Sequence, residues 1–307
     1  PKEAIEAETG IFLRTEKSVL FIIPWPRYWV IGTTDTAWHE NIDHPVATSA
    51  DIDYVLEHAN AVLEKPISRK DIIGVYAGLR PLLQPGVKEG ESGETASTKV
   101  SREHTVTEVA PGLTSIAGGK LTTYRVMAAD AVDFALGVEQ TKVHPTCTER
   151  LALVGAAGLD EVTARSGEIA RAHGWTLARV DHLLSRYGAE TQDLLELIDA
   201  KPEYGQPLKS APAFLKAEVV WAVTHEGALH LDDIIVHRVR LDLEHRDHGL
   251  AAADEIAEIA APLLGWSKDD VAAELAAYAR RCTALAQAEK ETEDAAAAAH
   301  LDGLGQV

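Results

Sequence analysis

Apolar positions along the chain fall into two regimes. Up to about residue 120, short runs rich in β-branched and aromatic residues alternate with polar stretches, the signature of strands. Residues 18–24 and 28–34 form two such runs around Pro24, Trp25, Pro26 and Arg27, which predicts a hairpin. Residues 1–10 read as a polar linking stretch. Residues 49–65 carry Ile52, Leu56, Ala59 and Leu63 at helical spacing, with Ser49 and Asp51 at the start and Pro66 at the end. That spacing predicts one helix stopped by the proline. Further strands are expected at 72–76, 100–108 and 113–117, with a polar, glycine-containing loop over 86–98.

From about Cys147 the strand signals vanish, and Ala, Leu and Glu recur with helical period. Helices are expected at 159–173, 176–187, 190–198, 211–227, 231–239, 250–263 and 267–292, followed by a frayed end over 295–307. The pattern therefore divides the chain into a β-rich part and an all-helical part, an α+β organisation.

Charge changes this picture in one place. The formal net charge of −19 argues against a nucleic-acid partner and against simple docking on anionic lipid. Residues 66–125, however, hold eight Lys and Arg against six Asp and Glu, leaving +2 there and −21 elsewhere. A small anionic ligand suits that segment. Cys147 and Cys282 are the only cysteines, so no disulfide framework or metal spacing exists. No run of about 18 apolar residues would span a bilayer.

Within the basic segment, Ser115 to Arg125 reads as strand, glycine turn and helix start, with Lys120 between Gly118-Gly119 and Leu121-Thr122-Thr123. Glycines let a backbone approach a ring or phosphate closely. A helix start offers free N–H groups and a positive dipole end. The same pattern also describes an ordinary strand–turn–helix junction with an exposed lysine.

Ile116-Ala117-Gly118-Gly119-Lys120-Leu121-Thr122-Thr123-Tyr124-Arg125 resembles the C-terminal flavin-binding signature of the FAD-dependent glycerol-3-phosphate dehydrogenases. Three more motifs stand upstream in matching order: Ile31-Gly32-Thr33-Thr34-Asp35-Thr36, Tyr76-Ala77-Gly78-Leu79-Arg80-Pro81-Leu82 and Ser101-Arg102-Glu103-His104. The likeness is strong over roughly 5–140 and looser beyond. It implies the C-terminal part of a flavin-dependent oxidoreductase fold of the D-amino-acid-oxidase and glutathione-reductase kind. Residues 1–75 would belong to a β-rich substrate or cap domain, 76–140 to the FAD-binding domain, and 147–307 to an all-helical C-terminal domain. The chain starts at Pro1 and carries no G-x-G-x-x-G after a strand, the turn a dinucleotide pyrophosphate needs. It is therefore expected to be a C-terminal portion whose partner is the N-terminal half of the same protein.

The resemblance also implies a site. Arg80 would lie nearest the reacting carbinol as the catalytic arginine, with Arg102 and Lys120 helping to hold the phosphate of glycerol 3-phosphate. Gly118, Gly119, Lys120, Leu121 and Thr122 would contact FAD. Guanidinium groups match phosphate oxygens bidentately, which suits a phosphomonoester. The implied reaction oxidises sn-glycerol 3-phosphate to dihydroxyacetone phosphate, with hydride passing to the flavin and electrons leaving to a quinone. An oxygen-using oxidase, phosphate-ester binding without redox chemistry and a non-catalytic helical interaction module stay open as alternatives, as does a homo-oligomer. A cytoplasmic location, with peripheral contact on the inner face of the membrane, follows from the resemblance alone.

His225, Glu226, His230, Asp232, Asp233 and His237 cluster in sequence, but the i,i+5 spacing of His225 and His230 turns one ring off the other's helical face. No metal is expected; the run reads as a structural helical cap. His104 reads as a packed or solvated imidazole.

Overall fold

The computed structural model describes residues 1–15, 19–82 and 103–304. Three strands, β1 (Ile11–Arg14), β2 (Val19–Trp25) and β3 (Tyr28–Gly32), make an antiparallel sheet in the order β1-β2-β3. Trp25 pairs with Tyr28, so Pro26 and Arg27 form the expected hairpin turn. Strand β1 lies in a stretch too short and too charged at its edge to be read as a strand alone; its pairing with β2, Phe12 opposite Phe21, creates it.

Helix α1 (Ser49–Asn60) opens on a reciprocal cap: the Asp51 amide donates to Thr48 Oγ1 at 3.2 Å and the Thr48 amide to Asp51 Oδ2 at 3.0 Å. It ends five positions before the expected residue 65. The Asn60 side chain takes over as a local clamp, donating to the Ile67 carbonyl and accepting from its amide, both at 2.8 Å. A side-chain amide that satisfies a distant backbone pair competes with further helix. Helix α1 packs on the sheet through Ala59, against Leu20, Ile22 and Ile5, all buried.

Residues 72–76, expected as a strand, have no strand beside them among the described residues. The Lys70 and Ile72 carbonyls turn instead to the Arg246 guanidinium. A second hairpin, β4 (His104–Ala110) with β5 (Leu113–Gly118), matches the expected strands from His104 onward. Helix α2 (Tyr124–Leu136) follows the glycine turn, where a helix start was expected, preceded by a 3-10 turn at Leu121–Thr123 and followed by a short helix α3 (Val138–Val143). The expected loop at 86–98 lies outside the described residues.

Beyond Cys147 the described chain is helical: α4 (Leu159–Ala164), α5 (Ser166–His173), α6 (Leu177–Tyr187), α7 (Thr191–Ala200), α8 (Lys216–Thr224), α9 (Leu241–Glu244), α10 (Ala253–Leu264), α11 (Lys268–Ala288) and α12 (Asp294–Ala299). The helix expected over 159–173 is two, broken at Arg165. The one expected over 231–239 is a π-helical stretch, Asp233–Arg238, the wider turn that interrupts regular helices.

Helix α8 runs through the centre with Ala217, Glu218, Val219, Val220, Trp221 and Ala222 all buried. Around it Leu208, Phe214, Leu231, Ile234, Ile235, Leu241 and Ile256 are fully buried, each such side chain contributing about 1.5–3 kcal/mol. The expected frayed end is ordered as far as it is described. Ala297 and Leu301 are buried together with Ala284, Ala288 and Val46. Alanine-rich polar-looking sequence hid a packing face that only tertiary context reveals.

Candidate functional site

Arg80 stands just before Pro81 in the stretch 72–82, which is neither helix nor strand. Its direction is set less by that proline than by a partner from the first sheet. Just past β3, Asp35 Oδ2 lies 2.7 Å from Arg80 Nη1, and Thr33 Oγ1 lies 3.3 Å from Nη2. The Asp35 side chain is only 6 % exposed and that of Arg80 32 %. Two motifs far apart in sequence thus meet at one ion pair. The pair neutralises Arg80 as a net charge and fixes its fork, leaving the remaining N–H groups as aimed donors.

Asp35 and Thr33 were not singled out in the sequence as holding Arg80. The signal was present: Asp35 is the only charged residue in the run from Val30 to Thr36. A lone carboxylate at the end of a strand needs a buried partner.

At the glycine turn, Gly118 and Gly119 take φ of +80° and +85°, values that strain any residue with a Cβ. A Cβ on Gly119 would stand 2.4 Å from Met127 Sδ. Gly119 therefore serves the packing of α2 on the turn. The Thr123 hydroxyl closes the turn, accepting from the Lys120 amide at 3.2 Å and donating to the Lys120 carbonyl at 3.0 Å. Lys120 and Thr122 are exposed, and Leu121 is 89 % exposed. Lys120 makes no ion pair with another described residue, and no hydrogen bond or ion pair joins it to Arg80. Arg102, expected to help hold phosphate, lies outside the described residues.

His104 opens β4 with Nε2 2.7 Å from Asp130 Oδ2 on α2, fastening the hairpin to the helix. Arg125 also acts internally, donating to the Thr148 carbonyl. Helix α2 buries none of its residues, and Val126, Val132, Phe134 and Leu136 stand open, as do Val138 on α3 and Val143.

The histidine-rich run is structural in its contacts. The His225 ring stacks on Trp221 at 3.7 Å between centroids. His230 Nδ1 lies 2.8 Å from Glu274 Oε1. Asp233 accepts from the Leu229 and His230 amides at 2.9 and 3.1 Å, which holds its carboxyl below the usual range although burial opposes this. Among the described residues no group of three or more His, Cys, Asp or Glu is placed to hold a metal ion, and no helix is long and apolar enough to cross a membrane.

Comparison with known proteins bears on the whole chain. A family profile described as the C-terminal domain of alpha-glycerophosphate oxidase matches residues 146–271. A glycerol-3-phosphate dehydrogenase of Mycobacterium leprae is 46% identical over 297 residues, covering 97% of this chain and 50% of the relative. Glycerol-3-phosphate dehydrogenase 2 of Mycobacterium tuberculosis is 45% identical over the same share of each. The structure of the Bacillus halodurans glycerol-3-phosphate dehydrogenase complexed with FAD superposes with a TM-score of 0.69 at 25% identity, over 90% of this chain and 53% of that one. The chain is similar over nearly its whole length to glycerol-3-phosphate dehydrogenases and spans about half the length of the curated relatives it matches.

Proposed function

We propose that this chain supplies part of the substrate site and one side of the flavin site of an FAD-dependent enzyme that oxidises sn-glycerol 3-phosphate to dihydroxyacetone phosphate. The observation that carries the reading is the Arg80–Asp35 pair, which joins two of the four family motifs in space. A bound flavin would supply the two-electron acceptor that no side chain provides.

The residues present fit such a group from one side. Gly118 and Gly119 turn the backbone at positive φ directly before an exposed Lys120, Leu121 and Thr122. Free N–H groups at the start of the helical segment and the Lys120 ammonium favour an electron-rich ring edge or a phosphate. Gly118 and Gly119 would shape the turn, while Lys120, Leu121 and Thr122 would present to the ring.

Arg80 acts as an oriented donor. Because Asp35 takes up its charge, it would hold the carbinol oxygen of the substrate in one direction without competing for the phosphate. Lys120, with Arg102 beside it in the reading, would carry the net positive charge for the phosphate. The open apolar side chains of α2 and α3 would be covered by the N-terminal half, the part of the relatives' length that this chain does not span. The domain division at 75–76 and 140–147, transfer of electrons to a quinone, and peripheral contact with the inner face of the cytoplasmic membrane belong to the same reading. It leaves a homo-oligomer open.

The test is the visible spectrum of the flavin-loaded protein before and after anaerobic addition of glycerol 3-phosphate. Bleaching of the flavin band is expected. A band left unchanged by glycerol 3-phosphate overturns the substrate.

A further inference from the structure

Among the described residues the segment that ends on Arg80 has no strand beside it, and contacts of another kind hold its start. A backbone outside helix and sheet ladder leaves its carbonyls in need of donors. Arg246 supplies them from the helical region, with Nη2 2.5 Å from the Lys70 carbonyl and Nη1 on the Ile72 carbonyl. Two residues further along, Gly74 lies against the backbone of Leu243. A Cβ there would stand 2.8 Å from the Leu243 carbonyl oxygen and 3.2 Å from its Cα. Neither backbone can yield as a flexible side chain would, so the approach requires glycine.

The same stretch also grips the first hairpin. Arg27, in the β2–β3 turn, reaches the Glu244 carboxylate, and the Tyr28 hydroxyl donates to the Glu244 carbonyl at 3.1 Å. Strand β3 then runs from Tyr28 to Gly32, directly before Thr33 and Asp35. Residues 241–248 thus hold both chain segments whose ends form the Arg80 site: one leads to Arg80, the other to its carboxylate partner.

The gripping stretch is itself braced from behind. Asp242 lies 2.9 Å from His248 Nδ1 and 3.3 Å from an Arg281 guanidinium nitrogen, while the Tyr278 hydroxyl donates to the His248 carbonyl at 2.5 Å. These partners sit on α11 or at the end of the stretch, and all are mostly buried.

We propose that Arg246, together with the Gly74–Leu243 contact, is a positioning element for Arg80, and that the helical region acts on the reaction through it. The proposal rests on the reading that Arg80 serves glycerol 3-phosphate oxidation. A guanidinium that spans two carbonyls fixes both the height and the twist of the 70–74 backbone. Only residues 75–79 separate that point from Arg80, where misplacement of about 1 Å is enough to cost about a hundredfold in rate.

The experiment uses the flavin-loaded complete enzyme with Arg246→Ala and Arg246→Lys, each in the Arg80 and the Arg80→Lys backgrounds. Arg246→Ala is expected to lower kcat/KM about tenfold beside Arg80 and less than about twofold beside Arg80→Lys, because coupled residues are non-additive. Arg246→Lys, which can serve one carbonyl but not two, falls between and covers the case in which the alanine variant does not fold. Equal losses in both backgrounds overturn the proposal.

Amide hydrogen exchange over 73–80 gives a readout independent of turnover. It should accelerate in both Arg246 variants while α10 stays protected; unchanged exchange there also overturns the proposal. If the unaltered enzyme does not oxidise glycerol 3-phosphate, the functional reading fails and the exchange comparison alone decides the positioning.

Discussion

The Arg80 guanidinium reaches back 45 residues to the Asp35 carboxylate, Nη1 to Oδ2 at 2.7 Å, and its second terminal nitrogen faces the Thr33 hydroxyl. Removing Arg80 would leave a carboxylate that is 6 % exposed without its counter-charge. Arg80→Ala is expected to cost about 1–3 kcal/mol of stability. It should also lower kcat/KM for glycerol 3-phosphate about 100-fold or more, as the loss of an oriented donor does. Asp35→Asn keeps an acceptor but frees the fork, and should lose about tenfold in kcat/KM with a smaller stability change. Steady-state kinetics and calorimetry on the two variants separate these effects. If Asp35→Asn leaves kcat/KM unchanged, the pair is merely structural.

The buried pair of Asp242 and His248 makes stability depend on pH with a definite sign. The hydrogen bond that His248 donates to the Asp242 carboxylate raises the His248 pKa against burial. Burial pushes the Asp242 pKa up, but the bond from His248 and the Arg281 charge outweigh it and the net shift is downward. Other groups facing the pair are Asp232, Glu289 and the Tyr278 hydroxyl. A raised histidine contributes stability that is complete below its unfolded pKa of about 6.5 and lost as pH rises through the folded value. The depressed carboxylate contributes above its unfolded pKa of about 3.9, and that contribution is lost as pH falls through its folded value.

The stability gap between the unaltered chain and His248→Gln should therefore be widest from about pH 4 to about 6.5 and shrink at higher pH. Glu289, whose pKa burial raises, favours folding in its protonated form, and its contribution fades as pH climbs above about 4.3. The His248 charge opposes that shift, so losing the His248–Glu289 attraction in His248→Gln widens the gap over the range where both groups are charged, and this part too vanishes as His248 loses its proton. Urea midpoints across the range read the gap directly. A gap that widens above pH 7 would contradict the assignment.

Glu218 presents a different case because its side chain is fully buried inside α8. It gathers His182 Nε2 at 3.0 Å, the Tyr187 hydroxyl at 3.2 Å, the Leu215 amide at 2.8 Å and Arg186 Nε at 3.7 Å. Burial next to this carboxylate pushes the Tyr187 pKa well up. Glu218→Ala strands the Arg186 charge and should cost about 3–5 kcal/mol. Glu218→Gln retains an acceptor and should cost about 1–3 kcal/mol. Denaturant unfolding tests the order of the two. A Glu218→Ala protein as stable as Glu218→Gln would mean that the acceptor oxygen is not what holds these groups, since both substitutions remove the charge.

Much of the fold was legible because it is written in local periodicity. The hairpin turn at Pro26 and Arg27 and the start of α2 after the glycine turn follow from alternation, breakers and apolar spacing. What escaped depended on distant partners. Strand β1 exists through its register with β2, and α1 stops early because Asn60 finds Ile67. The 72–76 run has strand composition, yet its carbonyls are met by an arginine more than 170 residues away. At the candidate site, Arg80 and Lys120 were readable from motif resemblance, whereas Asp35 as the arginine's anchor required the tertiary contact. Periodicity reports which face is apolar. It carries no information on which buried charge will meet which.

The glycine turn yields the last prediction, since two causes of strain there can be separated. Gly119 has φ of +85°, and a Cβ on it would meet Met127 Sδ at 2.4 Å, Met127 Cε at 2.7 Å and His104 Cβ at 3.3 Å. The backbone share of Gly119→Ala, a left-handed conformation forced on alanine, costs about 1–2 kcal/mol whatever surrounds it. The steric share depends on Met127, a flexible side chain that can rotate away at the expense of its packing between turn and helix. Gly119→Ala combined with Met127→Ala should therefore recover the steric part and leave the backbone part, a non-additive pair. Because the turn sets the direction of Lys120, Gly119→Ala should also weaken flavin retention, whereas Met127→Ala alone should not. Thermal unfolding and the ratio of bound flavin to protein measure the two consequences. Full additivity in stability would show that the methionine has already moved aside, and unchanged flavin content would remove the turn from the proposed flavin site.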